Sequence, residues 1–329
     1  MDQATEAWRP TAPLDNLRRR ADLLAGVRRF FGAREVLEVE TPALGAAAAT
    51  DLHLASLSTR LNVLDGTDPG EPAELWLQTS PELHMKRLLA AGSGPIWQLA
   101  RAFRDGEAGG RHNPEFSLLE WYRPGWDHHA LMDEVEELLA ELLGTGRAER
   151  LTYREAFLRH AGVDPFAAPL AELQERAAAL DIATGELPAD RETWLQLLLA
   201  LAVEPRLGRG GAPSFVLDFP AEQAALARVR PGDPPVAERF EVFVAGVELA
   251  NGYHELTDRA EQERRFQADL AAREARGLAR VPADQRLLAA LAHGMPDCAG
   301  VALGFDRLVM LAVGAERIDQ VIAFPVERA

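Results

Sequence analysis

Apolar side chains at positions 17, 23, 24, 27, 30 and 31 recur with a helical period, which Asn16 can cap and Gly32 can end. Residues 35–41 (EVLEVET) then alternate as a strand before Pro42, and 43–72 break into short extended pieces between Gly, Pro and Asp turns. Residues 75–78 read as a strand, and 81–91 as a helix begun by Ser80 with Pro81 in its first turn. Two alternating runs, 97–104 and 116–122, flank a Gly-rich polar turn, which predicts an antiparallel hairpin. An amphipathic helix follows over 130–143. From 145 to 235 the chain turns Ala- and Leu-rich, with helical periods at 170–180 and 193–203 and one strand-like run at 214–219. That stretch reads as a largely helical insertion whose strand returns to the sheet. Strands at 238–244 and 247–251, a turn at Asn251–Gly252, a long polar helix over 258–276, and a strand at 301–303 leading into a helix at 306–313 complete the pattern. The expected class is α+β, a mostly antiparallel sheet flanked by helices. We expect one domain over 16–329, preceded by a loose arm at 1–15.

Composition narrows the function classes. Hydrophobic residues make up 47% and charged residues 26%, a soluble globular balance. The longest apolar run, 197–203, falls far short of the roughly 20 residues that cross a bilayer. With no apolar leader at the start, the expectation is a cytoplasmic protein with no membrane role. Cys298 is the single cysteine, so no internal disulfide forms, and one Cys with eight scattered His argues against zinc. The net charge of −16, from 35 basic and 51 acidic residues, argues against tRNA as the main partner, because nucleic-acid affinity draws on phosphate neutralisation. Lys86 is the only lysine.

Two segments carry the chemistry: RDGEAGGRHNPEFSLLEWYRP at 104–124 and GVALGFDRL at 300–308. They bring arginines from distant parts of the chain to one sheet, which suits a polyphosphate, since guanidinium binds phosphate oxygens bidentately and stays charged. The pair resembles motifs 2 and 3 of the class II aminoacyl-tRNA synthetases, in the lysyl branch. VLEVETP at 36–42 resembles motif 1, and TSPELHMKRLL and VELANGYHEL are similar to lysyl-tRNA synthetase segments in order and spacing. A lysyl-tRNA synthetase would carry an anticodon-binding domain before the first helix, and with residues 1–15 read as a loose arm we expect none here. That layout, with WYRP at 121–124 and MPDCAGVALG at 295–304, resembles the elongation factor P–(R)-β-lysine ligase family.

The resemblance implies an ATP- and Mg²⁺-dependent enzyme, with Arg104 and Arg307 as its catalytic residues. It places Arg104 on the α-phosphate and substrate carboxylate, and Arg307 on the γ-phosphate. Arg307 and Phe116 would cover the two faces of the adenine. Asp105, Gly106, Glu107, His112, Asn113, Leu249 and Gly304 complete the ATP set. An acidic residue usual two after the motif 2 Arg is replaced here by Gly106, so either that backbone or Glu107 reads the adenine. Ser80, Pro81, Glu82, Glu120, Tyr122, Glu255 and Ala302 are implied to hold lysine or β-lysine, the carboxylates facing its ammonium groups. Ala302 stands where lysyl-tRNA synthetases carry Gly, and its methyl favours an amino group displaced to the β-carbon. Glu248 and Glu255 are implied metal carboxylates. Their odd separation puts them on opposite faces of a regular strand, so they share a site only if the chain turns or bulges between them.

The implied reaction is formation of a β-lysyl-adenylate and transfer to a lysine ε-amine of elongation factor P. A minimal lysyl-tRNA synthetase and a catalytically silent paralogue are the alternatives. Motif 1 implies a homodimer. Arg18, Arg19, Arg20, Arg28 and Arg29 form the densest basic cluster, expected as a solvated face or dimer contact, with docking of an acidic partner as the other reading.

Overall fold

The computed structural model describes residues 8–61, 73–183, 185 and 187–329. The chain runs through α1 (Leu14–Gly32), β1 (Leu37–Glu38), β2 (Leu44–Gly45), β3 (Ser58–Leu61), β4 (Ala73–Leu77), α2 (Glu82–Ala90), β5 (Ile96–Phe103), β6 (Glu115–Pro124) and α3 (His128–Leu143). Next come β7 (Glu149–Thr152), α4 (Tyr153–His160), α5 (Leu170–Ala179), α6 (Arg191–Leu198), β8 (Ser214–Pro220), β9 (Val229–Arg230), β10 (Val236–Val244) and β11 (Val247–His254). The chain closes with α7 (Arg259–Ala275), α8 (Gln285–His293), β12 (Cys298–Gly304) and α9 (Phe305–Val313). One compact unit takes the chain up to Gly125 together with Leu256–Ala329, and the other takes Trp126–Glu255.

In the first unit the strand order is β1-β5-β6-β12, with β1 parallel to β5 and the other neighbours antiparallel. A small sheet of order β2-β4-β3 accompanies it. Trp97 and Trp121 are register partners on β5 and β6. Phe31 of α1 stacks on Trp97 at 5.2 Å and meets Trp121 edge-on at 5.3 Å. Each such buried side chain contributes about 1.5–3 kcal/mol, which is why the face of α1 carrying Leu23, Val27, Phe30 and Phe31 settles on this sheet.

In the second unit the order is β11-β10-β8-β7, with β9 paired to β10; β7 lies parallel to β8 and the rest are antiparallel. Its core gathers Tyr153, Phe157 and Phe219 with Leu198 and Val203 from the region expected to be helical. Side-chain caps begin most helices. Asp127, Thr152, Asp190, Asp258 and Asp284 each accept a first-turn backbone N–H, and Glu155 completes a capping box with Thr152.

Local expectations differ at three places. α1 starts at Leu14 behind Pro13, so Asn16 lies inside the helix and its Nδ2 donates to the Gln320 carbonyl at 2.9 Å. The strand expected at 35–41 pairs over only two residues, because β1 has a partner at Ile96 and Trp97 alone. β11 runs straight through Asn251–Gly252, where a turn was expected. The part of the 43–72 expectation at 62–72 lies outside the described residues.

Candidate functional site

The hairpin aligns Ile96 with Tyr122 and Phe103 with Glu115, leaving 104–114 as its turn. Arg104 donates its backbone N–H to Pro114 at 2.9 Å, and its guanidinium lies over the Phe116 ring at 4.9 Å. Glu107 sits 3.6 Å away. The buried Nε of Arg104 has no hydrogen-bond partner among the described residues. An orphaned donor on a half-buried arginine fits an anionic oxygen, so the hairpin suits a phosphate or carboxylate ligand. Gly106 has φ +77°, a conformation that disfavours a side chain. The backbone therefore favours glycine there, and the carboxylate appears one step later at Glu107.

His112 Nε2 lies 2.8 Å from Arg307 Nη2, so the structure brings the turn histidine to the arginine of α9. Gly304 is the N-cap of α9, where a Cβ would touch the Arg307 side chain at 3.5 Å. Asp105 is exposed and its backbone N–H is held by Ala55 at 2.8 Å. Asn113 is held within the fold. Its Nδ2 donates to the Glu115 carbonyl at 2.6 Å and its Oδ1 accepts the Val326 N–H at 3.0 Å. With a hydrogen bond at each end of the amide, Asn113 braces the turn against the C-terminal segment.

The arginine cluster on α1 is also not uniform. Arg28 pairs with Glu38 at 3.0 Å and Arg18 with Asp15 at 2.7 Å on the surface. Arg20 turns inward, placing Nη1 2.5 Å from Asp306 and Nη2 2.7 Å from the Ser117 hydroxyl. The expectation of one solvated or docking face fails at Arg20 because the buried Asp306 requires a counter-charge.

On the floor of the same unit, Tyr122 donates its hydroxyl to Glu120 Oε1 at 2.6 Å, both side chains being buried. Ala302 and Gln98 are the register neighbours of Glu120, and Gly300 and Ile96 those of Tyr122. Glu82 opens α2 and pairs with Lys86 at 2.7 Å, while Ser80 Oγ accepts the Glu82 N–H at 3.4 Å and Pro81 occupies the cap position. Glu82 is thus partly neutralised by the chain's only lysine. That partnership was readable in the sequence as an i, i+4 pair.

In the second unit β11 carries Glu248 and Leu249, and Glu255 follows it directly, bridged to Ala227. Val242 of β10 pairs with Ala250, but the next residue, Phe243, pairs with Glu248, which makes Leu249 an extra residue. This β-bulge shifts the alternation by one, so Glu248 and Glu255 share a face despite their odd spacing. The bulge does what the Asn251–Gly252 turn was expected to do. Gly252 serves a different purpose: a Cβ there would lie 2.3 Å from the Phe240 ring.

The same face holds Glu241, which the sequence reading missed. It is buried, lies 2.5 Å from Arg239, and accepts from Asn251 Nδ2 at 3.4 Å. Burial pushes the Glu241 carboxyl up, the Arg239 guanidinium pulls it down, and the charge of Glu248 pushes it up again. Two neighbouring carboxylates, one strained by burial, fit a hard divalent cation such as Mg²⁺. Nothing local marks Glu241 in the sequence, since FEVFV reads as plain alternation.

A family model described as tRNA synthetases class II (D, K and N) matches residues 6–328. The elongation factor P–(R)-β-lysine ligase of Yersinia enterocolitica is 55% identical over 326 residues, 99% of each chain. The protein of the same name from Edwardsiella ictaluri is 54% identical over 324 residues, 98% of each chain. That from Yersinia pestis is 53% identical over 326 residues, again 99% of each.

Proposed function

The chain belongs to the class II tRNA synthetases (D, K and N) and, within them, to the elongation factor P–(R)-β-lysine ligases, and from that premise we propose the following reaction. The enzyme activates (R)-β-lysine with ATP and transfers it to a lysine ε-amine of elongation factor P. A β-lysine carboxylate oxygen attacks the α-phosphorus, the bond to the β-phosphate breaks, and pyrophosphate leaves. The ε-amine of the acceptor then attacks the adenylate carbonyl, an amide forms, a proton is lost and AMP departs.

Arg104 holds the α-phosphate and the substrate carboxylate together, offsetting the repulsion between two anions. Its Nε donor, unmatched among the described residues, supports that role. Arg307 with His112 takes the outer phosphates, and Phe116 with the 105–107 backbone takes the adenine. Glu241 and Glu248 are the residues that would hold Mg²⁺, which supplies charge neutralisation to the phosphates when bound. Glu255, on the face of Glu248, would help to hold the metal or pair with a substrate amine.

The observation that carries the substrate class is the buried Glu120–Tyr122 pair at 2.6 Å, opposite Ala302. A buried carboxylate is stable when a cation completes it, so this floor suits an ammonium group. Among the described residues no helix is long and apolar enough to cross a membrane. We place the enzyme in the cytoplasm as a homodimer. Amino-acid-dependent ATP–pyrophosphate exchange followed by label transfer tests the reading: label on elongation factor P supports it, and label on tRNA makes the chain a minimal lysyl-tRNA synthetase.

A further inference from the structure

We propose that His128, Glu238 and His254 form a binding site for a divalent first-row transition-metal ion, of which Zn²⁺ is the type, stapling the start of α3 to β10 and β11. One ligand atom from each residue lies within 4.8 Å of the others. The histidines stand far apart in sequence, which is why they read as scattered; the fold brings them to one point.

The site is separate from the carboxylates described above. The β10–β11 ladder ends at Arg239–Tyr253; beyond it Glu238 donates its backbone N–H to the Arg228 carbonyl at 2.9 Å and Arg228 donates its own to the His254 carbonyl at 2.8 Å, so Glu238 and His254 flank Arg228 at the end of the ribbon. On β11 His254 stands three residues beyond Asn251, so strand alternation turns it to the opposite face from Asn251 and its partner Glu241.

The observation that points to a ligand is His128. Its side chain is 2% exposed, and neither ring nitrogen has a hydrogen-bond partner among the described residues. A buried polar group left so is costly and calls for an ion or a water. Burial above all, with His129 and His254 beside it, lowers its pKa to about 3, so the ring is neutral and keeps a lone pair. Neutral imidazole is the commonest metal ligand. Two imidazoles and one carboxylate form a donor set that selects transition metals over Mg²⁺, and three protein ligands leave a fourth tetrahedral position for water.

The present hydrogen bonds define what loading requires. Arg228 Nη1 lies 2.9 Å from His254 Nε2, and a guanidinium only donates, so Nε2 accepts. The ring proton is then on Nδ1, 2.9 Å from Glu238 Oε2. A metal at Nδ1 shifts that proton to Nε2 with no net release, and Arg228 must leave because two N–H groups would face each other. Its side chain is 43% exposed and already lies 3.8 Å from Glu238, so it has somewhere to go. Donor atoms about 2.0–2.1 Å from a tetrahedral ion are about 3.3 Å apart, so the Nδ1–Oε2 pair opens by a few tenths of an ångström.

Arg228 is therefore a competitor of the metal, which gives the test its direction. Chelator-stripped full-length protein is titrated with Zn²⁺ by equilibrium dialysis and with Co²⁺ by visible absorption, which reports tetrahedral nitrogen ligation. The wild type should take one Zn²⁺ with a melting temperature raised by a few degrees. His128→Ala should weaken binding at least 30-fold. Arg228→Gln, which places an acceptor against Nε2–H and removes a positive charge, should tighten it roughly tenfold. If His128→Ala fails to fold, Arg228→Gln alone decides the matter. No Zn²⁺ bound at micromolar concentrations, or binding that neither substitution moves, overturns the site; the latter result would put the ion at Glu241 and Glu248.

Discussion

The Asp306 carboxylate accepts the backbone N–H of Ser117 at 2.7 Å, so the arginine-bearing start of α9 is fixed to β6 one residue beyond Phe116. Arg20 closes this triangle from α1, and Asp306 is only 2% exposed. Removing one partner of a buried pair costs about 3–5 kcal/mol. Arg20→Met should therefore lower the unfolding free energy by about 3 kcal/mol and raise the KM for ATP more than it lowers kcat, with Arg20→Lys recovering part of both. Urea unfolding and exchange kinetics check this, and an unchanged KM in a folded variant would confine Arg20 to stability.

Gly252 is set by cross-strand packing. Gly252→Ala forces its methyl into the Phe240 ring, whose nearest atom is 2.3 Å from the ideal Cβ position. Overpacking of this kind costs about 1–3 kcal/mol. Adding Phe240→Leu should return part of that loss, as read by urea midpoints of the single and double variants. Additive losses would contradict the packing account.

Ala302 stands beside Glu120 in register. Ala302→Gly removes a methyl from the floor, and a fit on that scale is worth about 1–3 kcal/mol. The ratio of kcat/KM for α-lysine over β-lysine should rise by one to two orders of magnitude in pyrophosphate exchange. An unmoved ratio would remove Ala302 from the specificity account.

Asp269 gives a pH dependence. Its carboxyl is raised above the usual 3.8, first by burial, although it accepts from Thr50 Oγ1 at 2.8 Å. A raised native value means that the folded state holds the proton more tightly. Stability from this group is fully present below the usual value and is lost as pH rises through the native one. Asp269→Asn keeps an acceptor for Thr50, so it should match wild type near pH 3 and exceed it at pH 7 in urea unfolding. A wild type that is the more stable protein at pH 7 would reverse the sign of the assignment.

The hairpin that carries Arg104, Phe116, Glu120 and Tyr122 was legible because alternation and a Gly-rich turn are local signals. The acceptors that open α3, α4 and α7 are local in the same way. Long-range pairing was not legible. Asn251–Gly252 satisfies every local rule for a turn, yet Phe240 across the ladder holds it in strand. Leu249 looks like any strand leucine until the register of β10 makes it a bulge. Glu241 is placed by the same ladder, His254 ends β11 while His128 opens α3, and Asn113 is claimed by Val326, 213 residues away in sequence.

The most direct test of the central claim is amino-acid-dependent ATP–pyrophosphate exchange with α-lysine and both β-lysine enantiomers, followed by transfer to elongation factor P and to tRNA in parallel. The account predicts strongest exchange with (R)-β-lysine and label on elongation factor P alone. Exchange mainly with α-lysine and label on tRNA would contradict it.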